Sequence, residues 1–259
     1  MQLLDRHVVV TGAAGGIGSA LARRFHAEGA RVVLTDLGGA ESVSSELPGS
    51  LSIAADMTRE SEIVAMIDAA EQAFGPVDLY FANAGVGVGS DPMDDEATWD
   101  LSFDVNVHAH RWAARRLLPG WLARGDGYFC STASAAGLLA QIGSAPYSVT
   151  KHAAVAFAEW LSITYGARGL KVSCLCPQGV NTNMIGQSNE LGAGVSVVRA
   201  VGVILEPEQV ADVVIEAIGD ERFLILPHPE VADYVALKGT EHERWLAGMR
   251  KLQQRIVGH

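Results

Sequence analysis

Two side chains in the middle of the sequence have the types and the spacing for proton transfer. Tyr147 and Lys151 are four residues apart in a segment with helical periodicity, so they lie on one face of a helix. An ammonium beside a phenol stabilises the phenolate and lowers its pKa, which makes the tyrosine a usable base near neutral pH. Ser134, just past a predicted strand, offers a hydroxyl that could hold a substrate oxygen. Alone, the Tyr-x-x-x-Lys pair is common by chance and would indicate only an exposed aromatic beside a solvated lysine.

A glycine-rich segment near the N-terminus has the character of a phosphate-binding loop. It follows an apolar strand-like run and precedes a helical pattern. Glycines let the backbone approach a pyrophosphate, and the first turn of the helix offers free N–H groups to the anion. Methyltransferases and flavoproteins also have such loops. The loop is therefore evidence for a dinucleotide site only because a strand precedes it and a helix follows it. The residues expected to contact a dinucleotide here are Gly12, Gly15, Gly16, Ile17 and Gly18.

Asp36, at the end of the second predicted strand, bears on which dinucleotide is bound. A carboxylate there can accept both hydroxyls of the adenosine ribose and would repel a 2′-phosphate. No lysine or arginine follows in the segment Leu37-Gly38-Gly39, and Gly15 stands where a basic residue could otherwise help. The charge pattern therefore favours NAD over NADP, although Asp36 alone could be a turn-forming residue.

Short β-branched runs alternate with longer amphipathic segments along the chain, which predicts a doubly wound parallel sheet with helices on both faces. We expect one Rossmann-type domain over residues 1–228 with about seven parallel strands, extended by a helical C-terminal tail at 229–259. The segment 187–201 is expected to be a lid over a pocket or a plain surface loop. The predicted strands are His7–Thr11, 31–35, 51–55, 78–82, 128–132, 171–176 and 223–226. The predicted helices are 17–28, Glu60–Phe74, 99–123, 147–167 and Pro207–Gly219.

The bulk composition narrows the classes of partner. The formal net charge is −11 and the sequence pI is about 5.1, which argues against a nucleic-acid partner. No apolar run is long enough to predict a membrane span, and no secretory signal is evident. The cysteines Cys130, Cys174 and Cys176 lie in strand-like runs without a ligand cluster beside them, so we expect inert thiols, no metal and a cytoplasmic location.

Together the motifs resemble the classical short-chain dehydrogenase/reductase (SDR) family. Each motif alone is unspecific, but they follow the family order over roughly the first three quarters of the chain. The matching pieces are the loop 11–18, Asp56, Asn83-Ala84-Gly85, Asn106, Ser134, the segment 147–151 and the segment 177–182.

The resemblance implies a role for each matching residue. Tyr147 would be the acid/base, Lys151 would lower its pKa and hold the nicotinamide ribose, and Ser134 would orient the substrate oxygen. Asn106 would hold a water in the proton relay. The reaction implied is hydride transfer between NAD and an alcohol or ketone carbon. The further cofactor contacts implied are Asp56 and Met57 at the adenine, Asn83, Ala84 and Gly85 near the adenosine ribose, and Val180 and Thr182 at the carboxamide.

The sequence also departs from the family pattern. Gln178 stands where a glycine usually follows the proline, and the usual glycine-rich finish is replaced by the segment 226–229 and the tail. The family's tetramer is therefore not carried over, and a homodimer and a homotetramer both stay open. His152, beside Lys151, is expected only to pack. The pocket positions expected are mostly apolar, which favours a hydrophobic secondary alcohol or ketone; they are Leu138, Gln141, Ile142 and Met184.

Three other functions compete with an alcohol dehydrogenase. A 3-oxoacyl reductase would more often use NADPH and a basic docking patch for its acidic carrier, and neither is evident. A non-catalytic NAD-binding sensor would not need Ser134, Tyr147 and Lys151. A methyltransferase would explain the glycine loop but not the Tyr147 and Lys151 pair.

Overall fold

The strands form one parallel sheet in a computed structural model that describes residues 1–182 and 202–258. The strand order is β3-β2-β1-β4-β5-β6-β7, and every neighbouring pair is parallel. This is the predicted doubly wound sheet. Its strands are β1 (His7–Thr11), β2 (Arg31–Asp36), β3 (Leu51–Ala54), β4 (Leu79–Ala82), β5 (Gly127–Thr132), β6 (Leu170–Leu175) and β7 (Leu224–Ile225).

Helices cover both faces of this sheet. Alternate residues of β1 point to opposite faces: Val8 and Val10 belong to one buried cluster, and Val9 belongs to the other. Since both faces are dry, the strands are continuously apolar. The helices of the described residues are α1 (Gly16–Ala27), α2 (Ala40–Ser45), α3 (Glu60–Phe74), α4 (Glu96–Phe103), α5 (Ala109–Arg124), α6 (Ala145–Tyr165), α7 (Pro207–Gly219), α8 (Val231–Thr240) and α9 (His242–Val257). None of them is long and apolar enough to cross a membrane.

The order in which successive strands are added to the sheet reverses between β1 and β4, which makes this position the topological switch point of the sheet. Strand β1 pairs with β2 on one side and with β4 on the other, so the loops that leave β1 and β4 diverge to opposite faces. This creates a crevice at the carboxyl ends of the strands, where open parallel sheets bind ligands.

The predicted helix 99–123 is interrupted. Between α4 and α5 the chain forms a π-helical turn at Asp104–His108, with Asn106 at its centre. The Asn106 side chain is fully buried and is held by the backbone of Val86, which fixes the turn at that point. A π turn inside a helix is a common mark of a functional site.

The C-terminal tail is helical, as expected. Helix α8 packs against α9, and none of the side chains described in α9 is fully buried. The segment 187–201 and Met184 lie outside the described residues.

Candidate active site

A cleft of about 1520 Å³ lies at the carboxyl ends of the strands. One end is formed by the glycine-rich loop and Asp36, and the middle by Ser134, Tyr147 and Lys151. Residues of α8 and α9 also line the cleft, so the tail belongs to its wall.

The glycine loop is shaped by two close approaches. Gly12 has a φ of 65°, in the left-handed region that favours glycine. A Cβ on Gly18 would lie 2.0 Å from the carbonyl oxygen of Gly12, so a side chain there cannot be accommodated without moving the loop. Gly15 is different, because no atom lies within 4 Å of its Cβ position. The loop is therefore closely packed at Gly18, whereas Gly15 has free space around its Cβ position.

Asp36 is held at the end of β2 by two backbone amides. Its carboxylate accepts hydrogen bonds from the N–H of Ala14 at 3.0 Å and from that of Leu37 at 2.8 Å. A carboxylate offers about four acceptor positions, so two remain for a ligand. Asp36 thus links the glycine loop to the second strand and faces the cleft.

Asp56 and Met57 line the cleft after β3. The backbone N–H and the hydroxyl of Thr58 donate to one Asp56 oxygen at 2.9 and 2.8 Å. These hydrogen bonds, above all the backbone one, lower the pKa of Asp56 despite its partial burial. Met57 is buried and provides an apolar surface beside the carboxylate.

Asn83 ties three strands together beneath the cleft. Its amide donates to the carbonyl oxygen of Thr11 at 3.0 Å, and its Oδ1 accepts from the Thr132 hydroxyl at 3.0 Å. The Thr11 hydroxyl in turn accepts from the N–H groups of Asn83 and Ala84, both at 2.9 Å. Asn83 therefore has a structural role: it fixes the turn 83–85 at the end of β4, where β4 lies beside β1.

Ser134 and Tyr147 both line the cleft, and the Ser134 hydroxyl lies near enough to the phenol to act on its pKa. The Ser134 hydroxyl accepts from the N–H of Ala136 at 3.1 Å and donates to the carbonyl oxygen of Pro177 at 3.4 Å, which holds its rotamer. Burial raises the pKa of Tyr147, and the nearby Ser134 hydroxyl only partly opposes that shift. In the protein alone the group at this position is thus a phenol at neutral pH.

Lys151 is buried one helical turn after Tyr147. Its Nζ lies 5.6 Å from the centroid of the Tyr147 ring and donates to the carbonyl oxygen of Thr132 at 3.0 Å. Burial lowers the pKa of Lys151 to about 8, so the ammonium persists at neutral pH. Burial is the largest influence on the Tyr147 pKa, so its direction in the protein alone is opposite to the lowering expected from the sequence.

Asn106 lies behind the turn 83–85 rather than on the cleft surface. Its Oδ1 accepts from the Val86 N–H at 3.0 Å, and its amide donates to the Val86 carbonyl at 3.0 Å and to Thr150 Oγ1 at 3.1 Å. A Cβ on Gly85 would lie 3.2 Å from both Asn106 Oδ1 and Lys151 Nζ. Gly85 therefore lets these two polar groups approach the same point.

The sequence and fold comparisons agree with this geometry. A family model described as short chain dehydrogenase matches residues 6–191. The chain belongs to the short chain dehydrogenase family. It is thus a member of a family of oxidoreductases that act on CH–OH groups.

Similarity extends over most of the chain. It is 34% identical over 246 residues to a 1-deoxy-11-beta-hydroxypentalenate dehydrogenase of Streptomyces exfoliatus, covering 89% of this chain and 86% of that protein. It is 30% identical over 218 residues to a cis-4-hydroxycyclohexanecarboxylate dehydrogenase of Sinomonas cyclohexanicum, covering 81% and 88%. A crystal structure of a short-chain dehydrogenase/reductase from Burkholderia phymatum in complex with NAD superposes with a TM-score of 0.84 at 29% identity, covering 94% and 96%.

Only some of the predicted pocket residues line the cleft. Gln141 lines the cleft together with its neighbours Leu139 and Ala140, whereas Leu138 and Ile142 do not line it. Val180 and Thr182 line the cleft opposite the glycine loop, where the Thr182 methyl would lie 3.0 Å from a Cβ on Gly16.

The unusual segment after β6 is held by a buried histidine. The Gln178 N–H donates to His228 Nδ1 at 3.1 Å, and His228 Nε2 donates to the Val203 carbonyl at 3.1 Å. His228 comes from the segment that replaces the family's glycine-rich finish. The two sequence departures therefore contact each other.

A tail lysine beside the site was missed from the sequence. Lys238 of α8 donates to the carbonyl oxygens of Leu138 at 2.7 Å and Leu139 at 3.0 Å, and it lies 3.3 Å from His152 Nε2. His152 thus does more than pack. A single lysine in a charged tail gives no sequence signal for such a contact, whereas Thr11 and Thr132, also missed, could have been found from their positions at strand ends.

Proposed function

We propose that the protein is an NAD-dependent dehydrogenase that interconverts a secondary alcohol and a ketone, with Ser134, Tyr147 and Lys151 as its catalytic residues. The observation that carries the proposal is the single cleft in which this trio lies beyond the glycine loop and Asp36. A non-catalytic sensor would not require Ser134 beside Tyr147 on the cleft wall, or the buried Lys151 ammonium 5.6 Å from the centroid of the Tyr147 ring.

The residues at the dinucleotide end fit NAD. Gly15 leaves space at the start of α1, where backbone N–H groups attract a pyrophosphate. Asp36 retains free acceptor positions for two ribose hydroxyls, and the carboxylate would repel a 2′-phosphate. When bound, the nicotinamide supplies the hydride acceptor or donor.

The chain's own residues handle the oxygen and its proton. In the oxidative direction, Tyr147 as phenolate accepts the hydroxyl proton, and Ser134 donates a hydrogen bond that holds the substrate oxygen. In the reductive direction, the Tyr147 phenol donates that proton to the forming alkoxide. Lys151 keeps a positive charge next to the tyrosine, which favours the phenolate when the base form is needed.

The relatives support an alcohol substrate. Both named relatives are dehydrogenases of hydroxy compounds, and the structural neighbour holds NAD. We expect a small-molecule alcohol or ketone as partner, and a homo-oligomer in the cytoplasm.

The test is a binding titration followed by a rate assay. NADH and NADPH are titrated into the purified protein with nicotinamide fluorescence as the readout, and NADH formation is then followed with a panel of secondary alcohols. The proposal predicts tighter binding of NADH than NADPH and turnover that requires Tyr147. No binding of either dinucleotide would reject it, and tighter NADPH binding would reject its NAD assignment.

A further inference from the structure

The charged residues along the cleft separate by sign. Among the described residues that line it, the only carboxylates are Asp36 and Asp56, both at the glycine-loop end. The cations that line it are the buried Lys151 and three residues of α9, namely Arg244, Lys251 and Arg255. The sign of this wall is thus opposite to the net charge of the chain, which is −11.

The three α9 cations form one row. Positions 244, 251 and 255 are seven and four residues apart, so they share a helix face, and Gly248 leaves a gap within the row. An apolar row of Trp245, Met249 and Leu252 runs beside it and also lines the cleft. The wall therefore offers apolar surface next to positive charge.

Two of these cations have no carboxylate partner in the part of the chain that the structure describes. Arg244 pairs with Glu241 at 2.9 Å, but neither Lys251 nor Arg255 forms an ion pair with any residue in the described ranges. Both side chains are exposed to the solvent of the cleft. Within the described residues, neither charge is neutralised by a carboxylate.

The start of α9 is fixed on the substrate side of the cleft. Lys238 Nζ lies 5.3 Å from the centroid of the Trp245 ring and binds the Leu138 and Leu139 carbonyls just beyond Ser134. The dinucleotide phosphates already have the N-terminus of α1 on the other side. The cation row continues along the cleft wall from this fixed point, because Lys251 and Arg255 line the same cleft.

We infer that the substrate is an anionic alcohol, a secondary hydroxy acid with an apolar carbon skeleton, whose carboxylate is bound by Lys251 and Arg255. This inference rests on the proposed function. It changes the expected substrate from a purely hydrophobic alcohol to an amphiphilic one, with the apolar part on Trp245, Met249 and Leu252.

A pair of nearly isosteric dead-end ligands tests the charge. Cyclohexanecarboxylate and cyclohexanecarboxamide are titrated against the protein–NADH complex, with NADH and tryptophan fluorescence as readouts. The wild type should bind the carboxylate at least about fivefold more tightly than the amide, as expected for one or two partly exposed ion pairs. The preference should weaken as salt is raised. Equal affinity, or no detectable binding of the carboxylate, overturns the inference.

A double variant tests whether the cations of α9 cause the preference for the carboxylate. Lys251→Gln with Arg255→Gln should reduce the carboxylate-to-amide preference to about twofold or less, whereas Arg250→Gln, an exposed cation of α9 that does not line the cleft, should keep it. A preference that survives the double variant overturns the assignment. A loss of NADH affinity in the double variant would place the cations on the cofactor and also overturns it.

Rate assays separate this inference from the proposed function. Hydroxycyclohexanecarboxylates and their carboxamides are compared by kcat/KM with NAD. Turnover that favours the carboxylates supports the inference, and turnover of both without preference overturns it while leaving the dehydrogenase intact. A protein that does not bind NADH at all fails the proposed function instead.

Discussion

Lys238 of the tail lies 3.3 Å from His152, the residue that follows Lys151 in α6. His152 Nδ1 lies 2.8 Å from the Ser148 carbonyl and must carry the proton of that hydrogen bond, so Nε2 is the acceptor for the ammonium. The same ammonium donates to two carbonyl oxygens of the loop after Ser134. A single lysine thus joins the tail, the helix of Tyr147 and the loop of Ser134.

Replacing Lys238 with methionine keeps the stem and removes these hydrogen bonds. We expect a loss of about 1–2 kcal/mol in the free energy of unfolding, because charged hydrogen bonds to two carbonyls are lost. We also expect KM for the alcohol to rise severalfold while the Kd for NADH changes little. The measurements are urea unfolding, steady-state kinetics and NADH titration, with Arg250→Met as the matched control. If KM for the alcohol and the Kd for NADH rise equally, Lys238 has only a general structural role.

Asp36 and Gly15 should set the preference between dinucleotides. Asp36→Ala should weaken NADH binding about tenfold or more, because two hydrogen bonds to a charged acceptor are removed. Adding Gly15→Arg should then improve NADPH binding, since the Gly15 Cβ position is open and its φ of −169° suits any residue. The measurement is nicotinamide fluorescence, and Glu41→Ala, an exposed carboxylate outside the cleft, is the control. An unchanged NADH-to-NADPH ratio in Asp36→Ala would contradict the assignment.

His110 should make the free energy of unfolding fall at acidic pH. It is fully buried, its Nδ1 lies 3.1 Å from Ser131 Oγ, and its Nε2 has no hydrogen-bond partner among the described residues. Burial lowers the pKa of His110 to about 3, with the Lys151 charge as a smaller cause. Below the unfolded value of about 6.5, the unfolded chain binds a proton that the folded protein does not, so stability falls as pH drops from 6.5 towards 3.

A non-titrating variant isolates this contribution. His110→Gln should be less stable than the wild type at pH 7.5, yet should lose about 1–2 kcal/mol less between pH 7.5 and pH 5.0. Urea unfolding at the two pH values measures the difference, and His26→Gln at the surface is the control. An equal loss in His110→Gln and the wild type would mean that His110 titrates normally in the folded state.

The direction of the reaction should determine its pH dependence. Burial raises the pKa of Tyr147, so at neutral pH the phenol predominates and only a small fraction is phenolate. Initial rates of alcohol oxidation should therefore rise with pH between about 6 and 8, whereas ketone reduction should stay nearly flat over that range. The profile is read from kcat/KM in both directions. Oxidation that is flat with pH would show that proton removal by Tyr147 does not limit the rate.

The sheet and the site followed from local patterns in the sequence. Continuous apolar runs predicted strands such as His7–Thr11, and the Tyr147–Lys151 spacing predicted a shared helix face. Features set by tertiary contacts could not be predicted in this way. The π turn around Asn106 depends on the backbone of Val86, twenty residues earlier, and Lys238 meets Leu138 across 100 positions. The raised pKa of Tyr147 likewise depends on burial, which the spacing of Tyr147 and Lys151 does not encode.

The most direct test of the proposed catalytic role is the rate of NADH formation by Tyr147→Phe, set against its affinity for NADH. Removing the hydroxyl should lower kcat by about 10²–10⁴-fold, the usual contribution of general acid–base catalysis. The Kd for NADH should change by less than about threefold, and Tyr165→Phe, at the far end of α6, should behave as the wild type. A Tyr147→Phe enzyme that retains a tenth or more of the wild-type kcat would contradict the assignment of Tyr147 as the acid/base.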